Sequence, residues 1–141
     1  MRVFIDTNVL VSAGLSPDAA MADLLYTILS APYQAVLSQC VVDEFLAKST
    51  SRKFCGKEDV MKMFLANILP LVELAETPEE SVPEEEYITD PKDRPILRAA
   101  IAAKADVLVS GDKHFLNARS RIDAVEIVSP QEFVQRVLGR G

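Results

Sequence analysis

The sequence predicts an α/β fold in three α/β/α layers, with helices on both faces of a central, mainly parallel, five-stranded sheet. Short apolar runs recur along the chain, and most of them are followed by a capping signal and an amphipathic stretch. This alternation favours parallel pairing, because right-handed crossovers return each helix across the sheet. With 141 residues, the chain is expected to form one domain, residues 1–141, around a single core.

Five short segments rich in apolar residues predict the strands. They are residues 3–5, 34–37, 71–76, 107–109 and 125–128. Continuous apolar runs of this length are typical of parallel strands that are covered on both faces. The third segment alternates weakly between apolar and polar residues and carries the weakest signal of the five.

Capping residues predict where the helices of the first half begin. The Ser-Pro-Asp sequence at residues 16–18 supplies a cap, a first-turn proline and a favourable acid for a helix that ends near Pro32. Ser38 is expected to cap a second helix that runs to about residue 49. A third helix is expected at residues 57–69, because a proline follows directly.

The second half carries a loop and two further helices. Residues 77–89 contain two prolines and five glutamates, which predicts a solvated loop whose acids have no functional role. Asp93 is expected to begin the next helix, since acids and prolines crowd its N-terminal end. Residues 129–132 (SPQE) match a capping box with proline in the first turn, and they predict the terminal helix.

The composition limits the classes of function. Lys and Arg number 15 against 21 Asp and Glu, so the formal net charge of -6 disfavours broad attraction to nucleic acid. A nucleic-acid contact must therefore use a local basic patch or a bound cation. The apolar runs are shorter than the ~20 residues of a membrane span and no leader precedes the first strand, so we expect a cytoplasmic protein without membrane association. Cys40 and Cys55 are accordingly expected to be reduced.

Two aspartates stand where predicted strands end. Asp6 follows the first strand directly, and Asp112 follows the turn that leaves the fourth. Ligands bind outside the carboxyl ends of parallel strands, so both are expected at the same edge of the sheet. Glu44 and Asp93 lie early in helices that begin at this edge and can reach it too. The sequence thus predicts four converging carboxylates.

Ionised carboxylates that converge need a neutralising partner, because each pair about 4 Å apart repels by ~4 kcal/mol at an effective dielectric near 20. One histidine and two separated cysteines cannot build the usual zinc site. Oxygen ligands suit Mg²⁺ or Mn²⁺ instead. Two such ions can activate a water molecule and stabilise the leaving oxygen in phosphodiester cleavage.

These acids stand in segments with a familiar pattern. The segments are FIDTNVLVSA, LSQCVVDEFLAK, DPKDRPILRAAIAAKADVLVSGDKHF and VSPQEF. Together they resemble PIN domains, small metal-dependent ribonucleases, and particularly the PIN-type toxins of bacterial and archaeal toxin-antitoxin pairs. The DTN sequence alone is a weak signal, whereas four acids in the expected order and setting are a strong one. The resemblance covers nearly the whole chain.

The resemblance implies a PIN-like fold and a role for each acid. Asp6, Glu44, Asp93 and Asp112 match the first to fourth metal-binding acids of the family. They are therefore the expected catalytic residues and the expected ligands of Mg²⁺ or Mn²⁺.

Four neighbouring residues are expected to support these acids. Thr7 and Asn8 match the polar pair that orients a carboxylate or a metal-bound water. Asp90 is a second candidate for the third acid and is assigned to outer support or to the helix cap. Ser110 resembles the small hydroxyl residue before the last acid, with a simple turn residue as the alternative.

The resemblance also implies a substrate and partners. The substrate would be single-stranded or looped RNA, and the backbone would be guided by Lys48, Arg52, Lys53 and Lys113, with Lys57, Lys62, Arg119 and Arg121 as further candidates. A solvated helical surface is the alternative for the cations near residues 48–62. A small antitoxin protein would occupy a groove near the site, binding exposed aliphatic residues of the first two predicted helices. Members of the family often form homodimers.

Other readings remain open on the sequence. The chain could be a non-catalytic module that binds RNA or protein and retains the fold as a scaffold. A phosphatase or phosphate-accepting receiver also places aspartate after a strand, but the phosphatase pattern requires an acid where this chain has Asn8. A dinucleotide binder requires a glycine-rich turn that is missing here. His114 suits acid-base chemistry, but a lone histidine after a turn is more often incidental.

Overall fold

The computed structural model describes residues 1–15 and 19–138. Within these ranges five parallel strands form one sheet: β1 (Arg2–Ile5), β2 (Gln34–Ser38), β3 (Glu73–Ala75), β4 (Val107–Val109) and β5 (Glu126–Val128). The spatial order is β3-β2-β1-β4-β5, which places β1 at the centre. The predicted α/β fold with a parallel sheet is therefore confirmed.

Seven α-helices connect and cover these strands in the described ranges. They are α1 (Thr7–Leu15), α2 (Ala19–Ile28), α3 (Gln39–Ser49), α4 (Glu58–Ile68), α5 (Arg94–Ala102), α6 (Lys113–Ala118) and α7 (Pro130–Leu138). The residues of β4 and the last three of β1 are buried, which requires cover on both faces of the sheet. Phe4, Phe45, Phe115 and Phe133 are the largest of the fully buried side chains in this core.

Two of the predicted caps are present. The Ser38 hydroxyl accepts a 3.2 Å hydrogen bond from the backbone N–H of Val41, which is the expected cap of α3. Ser129 and Glu132 form the reciprocal capping box of α7, with two 3.1 Å hydrogen bonds. The predicted cap at residues 16–18 lies outside the described residues.

Helices α1 and α6 were not predicted. Helix α1 follows β1 without a loop, and the backbone N–H of Leu10 donates to the carbonyl of Asp6 at 3.2 Å. Most of its apolar residues contribute to the core, so it lacks the polar stripe that marks a surface helix. Helix α6 has six residues, too few for a periodic pattern.

The expectation that residues 77–89 form a solvated loop is wrong at Glu85. This segment contains a 3₁₀ helix, Pro83–Tyr87, and the Glu85 side chain in it is buried. Its carboxylate accepts two hydrogen bonds from Arg98, at 3.0 and 2.8 Å, and one from the backbone N–H of Val82 at 2.6 Å. Glu85 therefore ties the loop to α5, which carries Arg98.

Two smaller observations complete the fold. Cys40 and Cys55 are both free. Among the described helices, none is both long enough and apolar enough to cross a membrane.

Candidate metal and catalytic site

Asp6 and Asp112 stand at the ends of two neighbouring strands. Ile5 of β1 pairs with Val109 of β4, and the backbone N–H of Asp6 donates to the Val109 carbonyl at 3.1 Å. Ser110, which follows β4, joins the two acids: its hydroxyl donates to Oδ2 of Asp6 at 2.8 Å and accepts from the backbone N–H of Asp112 at 3.0 Å. Because Ser110 is fully buried, this connection is shielded from water.

The Asp6 carboxylate is buried and close to other acids. Only 3% of the residue is exposed, and its Oδ1 accepts a 2.7 Å hydrogen bond from the backbone N–H of Thr7. Burial raises the pKa of Asp6 to about 6, although the hydrogen bonds from Ser110 and Thr7 act in the opposite direction. The charges of Glu44 and Asp93 raise the pKa of Asp6 further. Both of these carboxylates therefore lie near enough to Asp6 for their charges to act on it.

Asp93 stands immediately before α5 and lies close to Asp112. Burial raises the pKa of Asp93 to about 6, and the charge of Asp112 is the next largest cause. Asp112 caps α6, since its Oδ1 accepts a 2.8 Å hydrogen bond from the backbone N–H of His114. The first turns of α5 and α6 thus bring these two acids together.

Glu44 occupies the outer side of this edge. It lies on α3 with its side chain 35% exposed, and Lys48 Nζ stands 3.8 Å from its Oε1. The same ammonium group donates a 2.6 Å hydrogen bond to Oδ1 of Asn8 on α1. Lys48 thus connects α3 and α1 beside the carboxylates.

His114 contacts two of the predicted acids. These contacts were not predicted from the sequence. Its Nδ1 lies 3.1 Å from Oδ2 of Asp93, 3.2 Å from Oδ1 of Asp112 and 4.0 Å from Oδ2 of Asp90. The only available signal was the spacing of two residues from Asp112, which gains meaning once α6 is known to begin between them. The first turn of α6 then places the imidazole beside the carboxylates of Asp93 and Asp112.

The donor set fits a divalent cation. Asp90, Asp93 and His114 each offer one ligand atom, and these three atoms lie within 4.8 Å of one another. This group includes one of the four predicted acids, Asp93, together with the expected supporting residue Asp90. Most donors here are carboxylate oxygens, which suit a hard cation. Such a cation also removes the repulsion between the carboxylates. In the described ranges the buried Thr7 hydroxyl also has no hydrogen-bond partner.

Comparisons with known proteins give the family. The model of the PIN domain matches residues 2–114 of this sequence. The chain belongs to the PIN domain family. No curated protein matches it significantly.

Solved structures share the fold at low sequence identity. VapBC2 from Rickettsia felis, bound to a DNA fragment from its promoter, matches with a TM-score of 0.69 and 18% identity over 92% of this chain and 98% of that one. FitAcB from Neisseria gonorrhoeae matches with a TM-score of 0.64 and 21% identity over 92% of this chain and 98% of that one. The PIN domain endonuclease Utp24 matches with a TM-score of 0.52 and 18% identity over 91% of this chain and 84% of that one. At these identities the similarity shows the fold alone.

The predicted RNA-binding cations of this PIN domain occupy two places. Lys48 lies beside Asn8 and Glu44, and Lys113 is an exposed residue next to Asp112. Arg52 and Lys53 are exposed in a 3₁₀ helix, Arg52–Phe54, that follows α3. A cavity of about 480 Å³ is lined by two of these cations, Lys48 and Lys53, together with Asn8, Ser12 and Phe54.

Three of the further candidates contact other side chains instead. Lys62 pairs with Glu58 at 2.7 Å, and Arg119 pairs with Glu132 at 2.6 Å. Arg121 lies over the Tyr87 ring, with its guanidinium carbon 5.6 Å from the ring centroid. These cations are therefore less available to a phosphate than Arg52 or Lys113.

Proposed function

We propose that this PIN domain protein is a metal-dependent endoribonuclease that cleaves RNA phosphodiester bonds as the toxin of a cytoplasmic toxin-antitoxin pair. One observation carries the proposal. Acids from separate parts of the chain lie together at one edge of the sheet, where Ser110 joins the buried Asp6 to Asp112 through two hydrogen bonds. Glu44 and Asp93 lie near enough for their charges to raise the pKa of Asp6. A structural role does not require carboxylates to be held together at this cost.

The metal ligands in this proposal are Asp6, Glu44, Asp93 and Asp112. Mg²⁺ or Mn²⁺ bound there would activate a water molecule and stabilise the leaving oxygen of the phosphodiester. Ser110 and the backbone N–H of Thr7 fix both oxygens of Asp6. The backbone N–H of His114 fixes Oδ1 of Asp112. These hydrogen bonds orient the carboxylates before substrate arrives.

Supporting roles fall to neighbouring polar residues. Asp90 accepts a 3.0 Å hydrogen bond from the backbone N–H of Lys92, which orients its carboxylate at the start of the segment that carries Asp93. The side chains of Thr7 and Asn8 are proposed to position a carboxylate or a bound water. The amide oxygen of Asn8 accepts a hydrogen bond from Lys48, whose ammonium group also lies 3.8 Å from Glu44.

RNA would approach across local positive charge, because the protein as a whole has a net charge of -6. Lys48, Arg52, Lys53 and Lys113 are the proposed phosphate contacts. Single-stranded RNA suits this surface, because its flexible backbone can pass from one cation to the next. No duplex groove has to be read.

A small antitoxin protein is the proposed regulator, and homodimerisation is proposed as well. Support comes from the sequence resemblance to PIN-type toxins and from the fold shared with VapBC2 and FitAcB. Tyr26 on α2 and Met63 on α4 are large exposed apolar residues that an amphipathic partner helix can cover. Of the two helices that were expected to bind the antitoxin, only α2 offers a large exposed apolar side chain in the described ranges.

The test is cleavage of a mixed RNA pool by the purified chain with magnesium, manganese or a chelator, followed by mapping of the cut ends. We expect cleavage with either metal, none with chelator, and a loss of about 100-fold or more in Asp6→Asn and in Asp112→Asn. Asp123→Asn, at an exposed acid before β5, is the matched control and should cleave normally. RNA binding without cleavage by the unmodified protein would contradict the proposal and favour a non-catalytic module.

A further inference from the structure

We propose that His114 is itself a metal ligand, and that its imidazole nitrogen makes the site prefer manganese or another first-row transition ion to magnesium. The inference rests on the metal site of the proposed function. It goes beyond it by adding a nitrogen donor to a set of acids and by predicting which class of ion the chain selects.

Nδ1 of His114 is within hydrogen-bond distance of Oδ2 of Asp93, and the distances around it also match those of atoms that share one ion. Metal-ligand bonds of about 2.1 Å place adjacent ligands of an octahedron about 3 Å apart and opposite ligands about 4.2 Å apart. Nδ1 lies 3.1 Å from Asp93 and 3.2 Å from Asp112, in the range of adjacent ligands. It lies 4.0 Å from Asp90, close to the separation of opposite ligands.

The fold holds the imidazole in this position. Asp112 caps α6, and its carboxylate binds the backbone N–H of His114 at 2.8 Å, which fixes the first turn of the helix. Asp90 and Asp93 flank the 3₁₀ helix Pro91–Asp93, and Asp90 caps it through the backbone N–H of Lys92. The start of α6 supplies His114, and the 3₁₀ helix supplies Asp90 and Asp93. One ligand atom from each of these residues lies within 4.8 Å of the other two.

A nitrogen donor changes the selectivity of the site. Magnesium takes oxygen ligands almost entirely and gives up its water reluctantly, whereas imidazole suits transition ions. A site with carboxylates alone distinguishes magnesium from manganese weakly. Adding one imidazole raises the affinity for the transition ion and leaves that for magnesium nearly unchanged.

Electron paramagnetic resonance of bound Mn²⁺ tests the ligand directly. His114 is the only histidine in the sequence, so any imidazole nitrogen coupled to the ion in the untagged full chain must come from it. We expect a nitrogen coupling in pulsed spectra that changes when the protein is grown with ¹⁵N-labelled histidine. Bound Mn²⁺ with no such coupling would overturn the proposal.

Metal affinities of a variant supply the second measurement. His114→Gln should lose about tenfold in affinity for Mn²⁺, while its affinity for Mg²⁺ changes by less than about threefold. Asn117→Ala, at an exposed residue on the same helix, is the matched control and should keep both affinities. An equal loss for both ions in His114→Gln would show that the imidazole only positions Asp93 and Asp112, and would also overturn the proposal.

RNA cleavage by the same preparations separates this inference from the proposed function. Cleavage without histidine coupling would leave the nuclease proposal intact and remove the ligand assignment. Histidine coupling without cleavage in any metal would support the ligand assignment and contradict the nuclease proposal.

Discussion

The hydroxyl of Ser110 donates a 2.8 Å hydrogen bond to Oδ2 of Asp6, and so links the ends of the neighbouring strands β4 and β1. The same oxygen accepts from the backbone N–H of Asp112 at 3.0 Å. One buried side chain therefore holds the first and the last of the predicted acids. Ser110 therefore contacts both acids through a single hydroxyl.

We predict that Ser110→Ala loses about 1–2 kcal/mol in the free energy of unfolding. The variant removes the donor to Asp6 and the acceptor for Asp112, so two buried groups lose a partner. It should also raise the pKa of Asp6 further, because the Ser110 hydrogen bond favours the charged form. Urea unfolding of the metal-free protein measures the loss. Ser120→Ala, at an exposed serine, is the control, and an equal effect in both variants would contradict the assigned role.

Asp6→Asn should stabilise the metal-free protein near neutral pH. The pKa of Asp6 is about 6 in the fold against an ordinary value of 3.8, so the folded state keeps a proton that the unfolded state releases. Stability that is fully present below about pH 4 is therefore lost as the pH rises through about 6. By linkage the loss reaches about 3 kcal/mol near neutral pH. Asparagine carries no charge and avoids this loss.

Urea unfolding in chelator, near neutral pH and again near pH 4, measures this effect. The difference between Asp6→Asn and the unmodified protein should be larger near neutral pH, because only there is the buried carboxylate ionised. Four glutamates change the stability with pH in the opposite direction, because arginine partners lower their pKa values: Glu73, Glu85, Glu126 and Glu132. Both proteins contain them, so their contributions cancel in the comparison. A difference that is independent of pH would show that Asp6 is not an unfavourable buried charge.

Arg98→Met should cost about 3 kcal/mol in the free energy of unfolding, because it leaves the buried Glu85 carboxylate without its cation. Arg98 lowers the pKa of Glu85, so this contribution is present above the ordinary pKa of glutamate and is lost as the pH falls through the lowered value. The double variant Glu85→Gln with Arg98→Met should recover part of the loss, since no buried charge remains. Lys62→Met, at the exposed pair with Glu58, should change stability little.

The sequence was sufficient for the sheet and for the approximate location of the acids. Continuous apolar runs at β1 and β4 are a local signal, and parallel topology then places Asp6 and Asp112 at one edge without further information. The caps at Ser38 and Ser129 are also local, because each is satisfied within four residues.

What could not be predicted depends on contacts between distant segments or on helices without a polar face. Glu85 acquires its role from Arg98, thirteen residues away and on another element. Helix α1 is largely buried, so its apolar residues show no stripe. Helix α6 is too short to be recognised, and without it His114 cannot be placed against Asp93.

Calorimetric titration of Mg²⁺ and Mn²⁺ into the chelator-treated chain tests most directly whether the acidic edge is a metal centre. We expect saturable binding of at least one ion to the unmodified protein, with the affinity lowered at least about tenfold in Asp6→Asn and in Asp93→Asn. Asp123→Asn should bind as the unmodified protein does. An unmodified protein that binds neither ion, or an affinity that is the same in all four proteins, would contradict the account.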